Sequence, residues 1–268
     1  IDHYAFCLSF LRQPDLFLRI RPGYEQTVKA RLTEVPHELI PPFTLRLPNG
    51  TKIEDLFTPD KEVVVQDYSS QRIAEFIPPA HDFWDACSAS GGKSILIHDL
   101  IPGMNITVSD IRESILHNLR QRFRQAGINT YHAFIADLTK GLPSGILRNS
   151  PDTEKNPARL PYDLVLADVP CTGSGTWSRT PEELYFFDPR KILTYSTAQK
   201  QIVSNVTAHL EPGARLVYST CSVFKKENEA VAALIREKPV MRMELAANIK
   251  GSDRGADSMF AARFVSED

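Results

Sequence analysis

Two thiols and a carboxylate sit where chemistry is expected in this sequence. The stretch from Tyr162 to Gly175, YDLVLADVPCTGSG, carries Asp168, then Pro170, then Cys171, then two glycines one residue apart. Leu164-Val165-Leu166 is a continuous apolar run of the kind found in strands buried on both faces, and Pro170 cannot continue such a strand. Asp168 and Cys171 are therefore predicted at the carboxyl end of a core strand, where open α/β sheets bind their ligands. A second strand-like run, Leu216-Val217-Tyr218-Ser219-Thr220-Cys221-Ser222, ends in a second thiol. Free cysteines are most often small core residues, the reading kept for Cys7 and Cys87. Cys171 and Cys221 instead border polar or glycine-rich turns, where a thiol can be exposed and ionised. A thiolate adding to carbon 6 of a cytosine turns carbon 5 into a nucleophile able to attack a methyl donor. An acid must then stabilise the proton on N3, and Asp168 is placed for it. The second thiol would assist release, and the spacing does not say which thiol does which.

The elements that position these groups follow the chain. From residue 81 strand-like and helix-like runs alternate, which argues for a parallel sheet. DFWDAC, NITVSD, TYHAFIAD, YDLVLAD and ARLVYSTC are its predicted strands, and MFAARFV is a final strand. SASGGKSILIHDLI is a glycine turn opening a nearly all-apolar helix. The helix after Asp110 places Ile111, Ile115, Leu119 and Phe123 on one face. Another, through Ile192, Tyr195, Ile202 and Val206, follows the first cysteine, and a last one packs through Val231, Leu234 and Ile235. Residues 140–161 read as a polar, proline-bearing surface loop.

Residues 1–62 differ in character and form a predicted small α+β domain, with residues 63–268 as the larger one. A short helix is expected over 25–32, and Asn49-Gly50 between two strand-like runs predicts a hairpin. Val63-Val64-Val65 is a strand candidate, and Ser69 or Ser70 a helix cap. Arg12, Arg19, Arg21, Lys29, Arg31 and Arg46 are scattered through this region. They read as solvated charge, on a domain that could nonetheless hold substrate.

Composition excludes several classes. With 31 Lys and Arg against 33 Asp and Glu, global charge does not point to nucleic acid, and a basic surface would have to be local. Four cysteines without CxxC spacing argue against a disulfide framework or a metal site and for reduced thiols. No apolar run approaches a membrane span and the start is not a signal peptide, so a soluble, cytoplasmic protein is expected. A monomer is expected, although no motif fixes the oligomeric state. The first residue is Ile, not Met, which fits a fragment or a trimmed chain.

DACSASGGK, residues 85–93, is neither a dinucleotide fingerprint nor a phosphate loop. Its glycines would let a ligand approach the backbone. Asp110 at the end of the second strand can accept both hydroxyls of a ribose, and Asp137 at the end of the third an adenine amino group. With Asp85 and Asp168 they make a carboxylate-lined pocket without a phosphate cradle, suited to a positively charged nucleoside such as S-adenosylmethionine.

The motifs then become specific. DACSASGGKS resembles the DxCAAPGGKT motif of the Fmu/Sun-type (NOL/NOP/Sun) RNA cytosine-5 methyltransferases, DVPCTGSG their DxPCSGxG, and YSTCSVFKKENEAV their YSTCSxxxxENExVV. VQDYSSQ, SRTPEE and ADSMFAARF are weaker matches, and the resemblance runs in order from about residue 10 to 265. It implies a Rossmann-like class I methyltransferase sheet, mostly parallel with an antiparallel C-terminal strand, S-adenosyl-L-methionine as cofactor, and ribosomal or transfer RNA as partner. The small domain would contact that RNA. It also implies Cys221 as nucleophile and Cys171 as the thiol assisting release, with Asp168 and Lys93 beside the base. Cys87, Ser88, Ala89, Ser90, Gly91, Gly92, Lys93, Asp110, Asp137 and Asp168 map to the cofactor pocket, and no metal is implied. DNA cytosine-5 enzymes attack with the cysteine of their PC motif, so the TCS motif favours the RNA type. Ser90 replaces the family's proline and Ser88 an alanine, which gives a less stiff turn. The arginine many members carry after the second strand is not placed by these motifs. Trp177, Tyr185 and Phe186 are candidates to stack on a flipped-out base, against a reading as local packing. A scaffold that holds the cofactor and RNA without turnover is the alternative function, and a small-molecule methyltransferase a third.

Overall fold

The computed structural model describes residues 3–142 and 162–267. Most of the loop predicted over 140–161 lies outside them. The N-terminal part comprises helix α1 (His3–Ser9), strand β1 (Leu16–Ile20), helix α2 (Glu25–Ala30) and strands β2 (Glu38–Ile40), β3 (Thr44–Leu47) and β4 (Val63–Val65). The strands form an antiparallel sheet in the order β2-β3-β1-β4. Leu18, Ile20, Val28, Leu32, Leu45 and Val63 close a small apolar core against it.

Three expectations for this region are corrected. The turn at Asn49-Gly50 is present, with Gly50 at φ 83°, but no strand follows it. Residues Ile53–Asp55 form a 3-10 helix instead, because Ile53 and Phe57 are needed in the small core, and β3 pairs with β1 and β2. β4, read as the first strand of the larger domain, is an edge of the small sheet. Arg19 and Arg21 are not solvated: only 2% and 8% exposed, they leave β1 to meet Asp99 at 2.6 and 2.7 Å.

The larger part begins with α3 (Tyr68–Gln71), whose cap is Asp67 accepting from the Ser69 N–H rather than either serine. Its sheet contains β5 (Asp82–Asp85), β6 (Asn105–Asp110), β7 (His132–Ile135), β8 (Leu164–Asp168), β9 (Arg215–Thr220), β10 (Met241–Ile249) and β11 (Met259–Ser266), in the order β10-β11-β9-β8-β5-β6-β7. The five strands from β9 to β7 run parallel and β11 is antiparallel to β9, so this is the predicted Rossmann-like sheet. β10 had no counterpart in the sequence reading. It is an edge strand, paired only to β11 through an irregular register near Met243, and MELAAN lacks the alternation that marks a half-buried strand.

Helices cover both faces, as a parallel sheet requires. Leu164 and Leu166 of β8 pack toward α4 (Gly92–Leu100) and α5 (Glu113–Ala126). Val165 and Ala167 pack toward α7 (Arg190–Thr207) and α8 (Glu229–Arg236). Each fully buried aliphatic side chain contributes about 1.5–3 kcal/mol, so a strand apolar on both faces is pinned to the middle of the sheet. α6 (Pro181–Tyr185) is a short surface helix between β8 and α7. The buried face of α5 is Leu116, Leu119, Phe123 and Ala126, whereas Ile111 lies before the helix and is 57% exposed.

Candidate active site

All the candidate groups gather at the carboxyl edge of the parallel strands. β8 and β9 are neighbours in register, with Asp168 opposite Ser219, so the loops leaving them emerge side by side. The Cys171 and Cys221 sulfurs lie 3.2 Å apart in hydrogen-bond contact. That contact, together with burial and the neighbouring carboxylate of Asp168 working against it, leaves the Cys221 thiol below its ordinary range. The same hydrogen bond, then burial, drives Cys171 well above. The pair is thus biased toward a Cys221 thiolate accepting from a Cys171 thiol.

Asp168 is held from both sides. Lys93 donates to its Oδ2 at 2.6 Å and Ser219 to its Oδ1 at 2.6 Å. Burial works against the Lys93 ammonium, but the adjacent Asp168 outweighs it and the pKa is raised. Beneath them Asp85 accepts from Ser94 at 2.6 Å, while its other oxygen has no hydrogen-bond partner among the described residues. Burial pushes this carboxyl up to about 7.

The turn after β5 is shaped by two residues in the left-handed region, Ala89 at φ 45° and Gly91 at φ 82°. For Ala89 this costs about 1–2 kcal/mol, and its N–H is held by the Asp110 carboxylate at 3.0 Å. A Cβ on Gly91 would stand 2.8 Å from Phe123 and 3.0 Å from Leu119. Its place in the motif is thus also a matter of packing α4 against α5. The N–H and guanidinium of Arg112 both donate to Asp110. Asp137 lies two residues beyond β7. One of its oxygens accepts from Thr139 and the other pairs with Lys140 at 3.1 Å, and these contacts lower its pKa, Thr139 first. Arg122 donates to the carbonyl and hydroxyl oxygens of Ser90 and bidentately to Asp60. The serine in place of proline therefore provides a bond that proline's side chain lacks.

Two cavities meet at this edge. The larger, about 450 Å³, is bounded by Asp110, Ile111, Asp137, Leu138 and Tyr195 and reaches Cys171. The smaller, about 280 Å³, is bounded by Lys93, Asp85, Asp67, Arg179 and Asp257. Cys87, Ala89, Asp168 and Cys221 line both. Ser88, Ser90, Gly92 and Lys93 face only the smaller one. The far wall of the smaller cavity was not anticipated: Arg179 pairs with Asp257 through both oxygens, and the Asp257 N–H donates to Asp67 at 3.0 Å. Burial, then the neighbouring Asp67, pushes Asp257 up to about 7. These residues lie in the three weaker motif matches, which was their one signal. Of the aromatic candidates, Trp177 is packed between Phe187, Phe10 and Phe224, while Tyr185 and Phe186 are 83% and 72% exposed.

Among the described residues no cluster of three His, Cys, Asp or Glu could hold a metal ion, and no helix is long and apolar enough to cross a membrane. The larger cavity fits a cationic nucleoside cofactor: three carboxylates, Asp110, Asp137 and Asp168, stand at its edge, Asp110 is pre-oriented by backbone donors, and Ile111 and Leu138 supply apolar walls.

The chain is 29% identical over 205 residues to a probable ribosomal RNA small subunit methyltransferase B of Bacillus subtilis, a match covering 75% of this chain and 43% of that protein. It is 26% identical over 214 residues to ribosomal RNA small subunit methyltransferase B of Klebsiella pneumoniae, covering 76% and 46%. The chain thus spans about half the length of the curated relatives it matches. In fold it follows NSun6 from Pyrococcus horikoshii, solved with SFG, at a TM-score of 0.78 and 13% identity over 99% of this chain and 94% of that one. A methyltransferase homologue from the same organism gives 0.72 and 19% over 98% and 90%. S-adenosyl-L-methionine is the cofactor of this methyltransferase fold. The 16S rRNA methyltransferase RsmB/F family matches residues 75–264, from before β5 into β11, and the chain belongs to that family.

Proposed function

We propose that the protein transfers a methyl group to carbon 5 of a cytosine in RNA, ribosomal RNA by the names of its relatives, through a covalent adduct on Cys221. The observation that carries this reading is the pair of sulfurs 3.2 Å apart beside the Lys93–Asp168 pair, at the junction of two cavities. S-adenosylmethionine, if bound in the larger cavity, would supply an electrophilic methyl group. Asp110 and Asp137 would hold its ribose and adenine, Cys87 and Ala89 border it, and the smaller cavity would take the base, extruded from its strand.

Cys221 lines both cavities, so its thiolate can add to carbon 6 from the junction. The S–C6 bond forms as the ring's electron density moves toward N3. N3 takes up a proton from solvent, and Asp168, held in orientation by Lys93 and Ser219, accepts a hydrogen bond from that N3–H. Carbon 5 would then be nucleophilic toward the cofactor's methyl group, whose bond to sulfur would break with the electron pair staying on that sulfur. The carbon 5 proton passes to solvent water, its bonding pair forms the C5–C6 double bond, the C6–S bond breaks with Cys221 leaving as the thiolate, and N3 gives its proton back to solvent. The Cys171 S–H is within hydrogen-bond reach to stabilise that leaving sulfur. Tyr185 and Phe186, on the surface shortly after Arg179, suit stacking on exposed nucleotides.

The test is 5-methylcytidine formation, by nucleoside mass spectrometry, on unmodified ribosomal and transfer RNA. Wild type should make product, Cys221→Ser none, and Cys171→Ser should accumulate an RNA–protein adduct. Product that survives Cys221→Ser but is lost with Cys171→Ser would reverse the two roles.

A further inference from the structure

The two thiols are fifty residues apart in sequence, and their separation needs a cause. Paired backbone hydrogen bonding between β8 and β9 continues only to Val169, whose N–H donates to the Ser219 carbonyl at 3.1 Å. Past it Pro170 has no N–H to donate, and both chains leave the sheet before reaching their cysteines.

Beyond that point the two loops converge on one buried carboxylate. Glu227 is 0% exposed. Its Oε1 accepts from the Thr172 N–H at 2.9 Å and the Gln199 amide at 3.2 Å. Its Oε2 accepts from the Thr172 hydroxyl at 2.6 Å and the Ser222 hydroxyl at 2.5 Å. Thr172 follows Cys171 and Ser222 follows Cys221, so each oxygen grips the residue after the first thiol and one also grips the residue after the second. Gln199 of α7 donates in addition to the Pro170 carbonyl at 2.9 Å. The backbone carbonyl of Glu227 accepts from the Tyr218 hydroxyl of β9 at 2.5 Å. None of the four donors to the carboxylate is a cation, and a buried carboxylate without a paired cation is rarely tolerated unless its hydrogen bonds serve it well.

We propose that Glu227 is a positioning residue that sets the spacing of the two thiols by holding the loop after each of them, through Thr172 and Ser222. The proposal rests on the two-thiol reading above. It does not touch the reacting atoms: it acts through Thr172 and Ser222. Its negative charge also opposes ionisation of Cys171, an effect secondary to the Cys221 contact and burial. The charged groups acting on Cys221 include Asp168, Lys93, Asp257 and Arg179, and none of these four is a hydrogen-bond partner of Glu227.

The experiment follows the thiols in RNA-free protein, so it does not depend on turnover. Iodoacetamide alkylation of Cys221 and Cys171 is timed by peptide mass spectrometry between pH 6 and 10. Wild type should show Cys221 reacting at lower pH than Cys171. In Glu227→Gln, isosteric and neutral, the two profiles should converge, with Cys221 alkylated about tenfold more slowly at pH 7.5 as its thiolate fraction falls. Thr172→Val with Ser222→Ala keeps the carboxylate and removes one hydroxyl donor from each loop, and should move the profiles the same way. It decides the matter if Glu227→Gln does not fold. Unchanged profiles in a folded variant would overturn the proposal. Convergence in a protein whose wild type makes no 5-methylcytidine would retain the clamp and sink the methylation reading instead.

Discussion

Asp168→Asn separates chemistry from architecture at this site. The carboxylate accepts from Lys93 and Ser219, both at 2.6 Å, and borders both cavities. Coulomb attraction to Lys93 at that distance is about 6 kcal/mol at an effective dielectric of 20. Desolvation of the two groups offsets much of it, and Asp168 keeps 26% of its side chain exposed. A net loss of about 1–3 kcal/mol of stability is therefore expected. An asparagine preserves the shape and the Ser219 contact but leaves Lys93 a buried ammonium without its counter-charge, and it cannot stabilise a proton on N3 as a carboxylate does. General acid–base assistance of this kind accounts for about 10²–10⁴ in rate. The assay is a single-turnover measurement with saturating S-adenosylmethionine, scoring 5-methylcytidine and the RNA adduct in the same quench. Both should fall by at least a hundredfold while unfolding stays cooperative. A folded variant forming adduct within tenfold of wild type would refute the role given to Asp168.

Gly175→Ala should be poorly tolerated, because a Cβ there would meet the Ser258 carbonyl at 1.8 Å and the Cys221 carbonyl at 2.9 Å. Thermal unfolding should show a loss of about 3 kcal/mol or more, in line with overpacking against backbone. Asp99→Ala should cost about 3–5 kcal/mol in denaturant unfolding, since it strips Arg19 and Arg21 of their buried partner. Asp85 titrates near 7 when folded, above its value of 3.8 in the unfolded chain. The unfolded chain therefore binds fewer protons between these values, and stability falls as pH rises through that window. Replacing Asp85 by Asn should flatten the fall between pH 4 and 8 by about 2–4 kcal/mol, and a slope identical to wild type would exclude this origin.

Much of the larger sheet was legible because its strands are continuous apolar runs ending in acids. Val165 and Leu166 carry their burial in their own side chains, and Asp110 and Asp168 mark where their strands stop. The two cysteines were legible for the same reason, as polar ends of apolar runs. What escaped depends on partners far away in sequence. Nothing local distinguishes Arg19, buried against Asp99, from Arg12, which is exposed. β10 is held by its pairing with β11, not by its own pattern, and Asn49-Gly50 makes its turn without the hairpin because Ile53 and Phe57 are claimed by a core. The thiol spacing was illegible too, since the sequence does not state how far two loops stand apart.

The bonds of the small sheet bear on any attempt to dissect the chain. Asp60, just before β4, anchors Arg122, which in turn holds the carbonyl and hydroxyl of Ser90 in the turn beside the cavities. Arg19 and Arg21 tether the helix that this turn opens. Val65 and Gln66 form part of the smaller cavity's rim. Cutting at residue 62 would strand β4 without β1, leave Asp99 and Arg122 as unmatched charges, and loosen the loop from behind. The N-terminal region is the back wall of the reaction chamber as much as an arm extended from it.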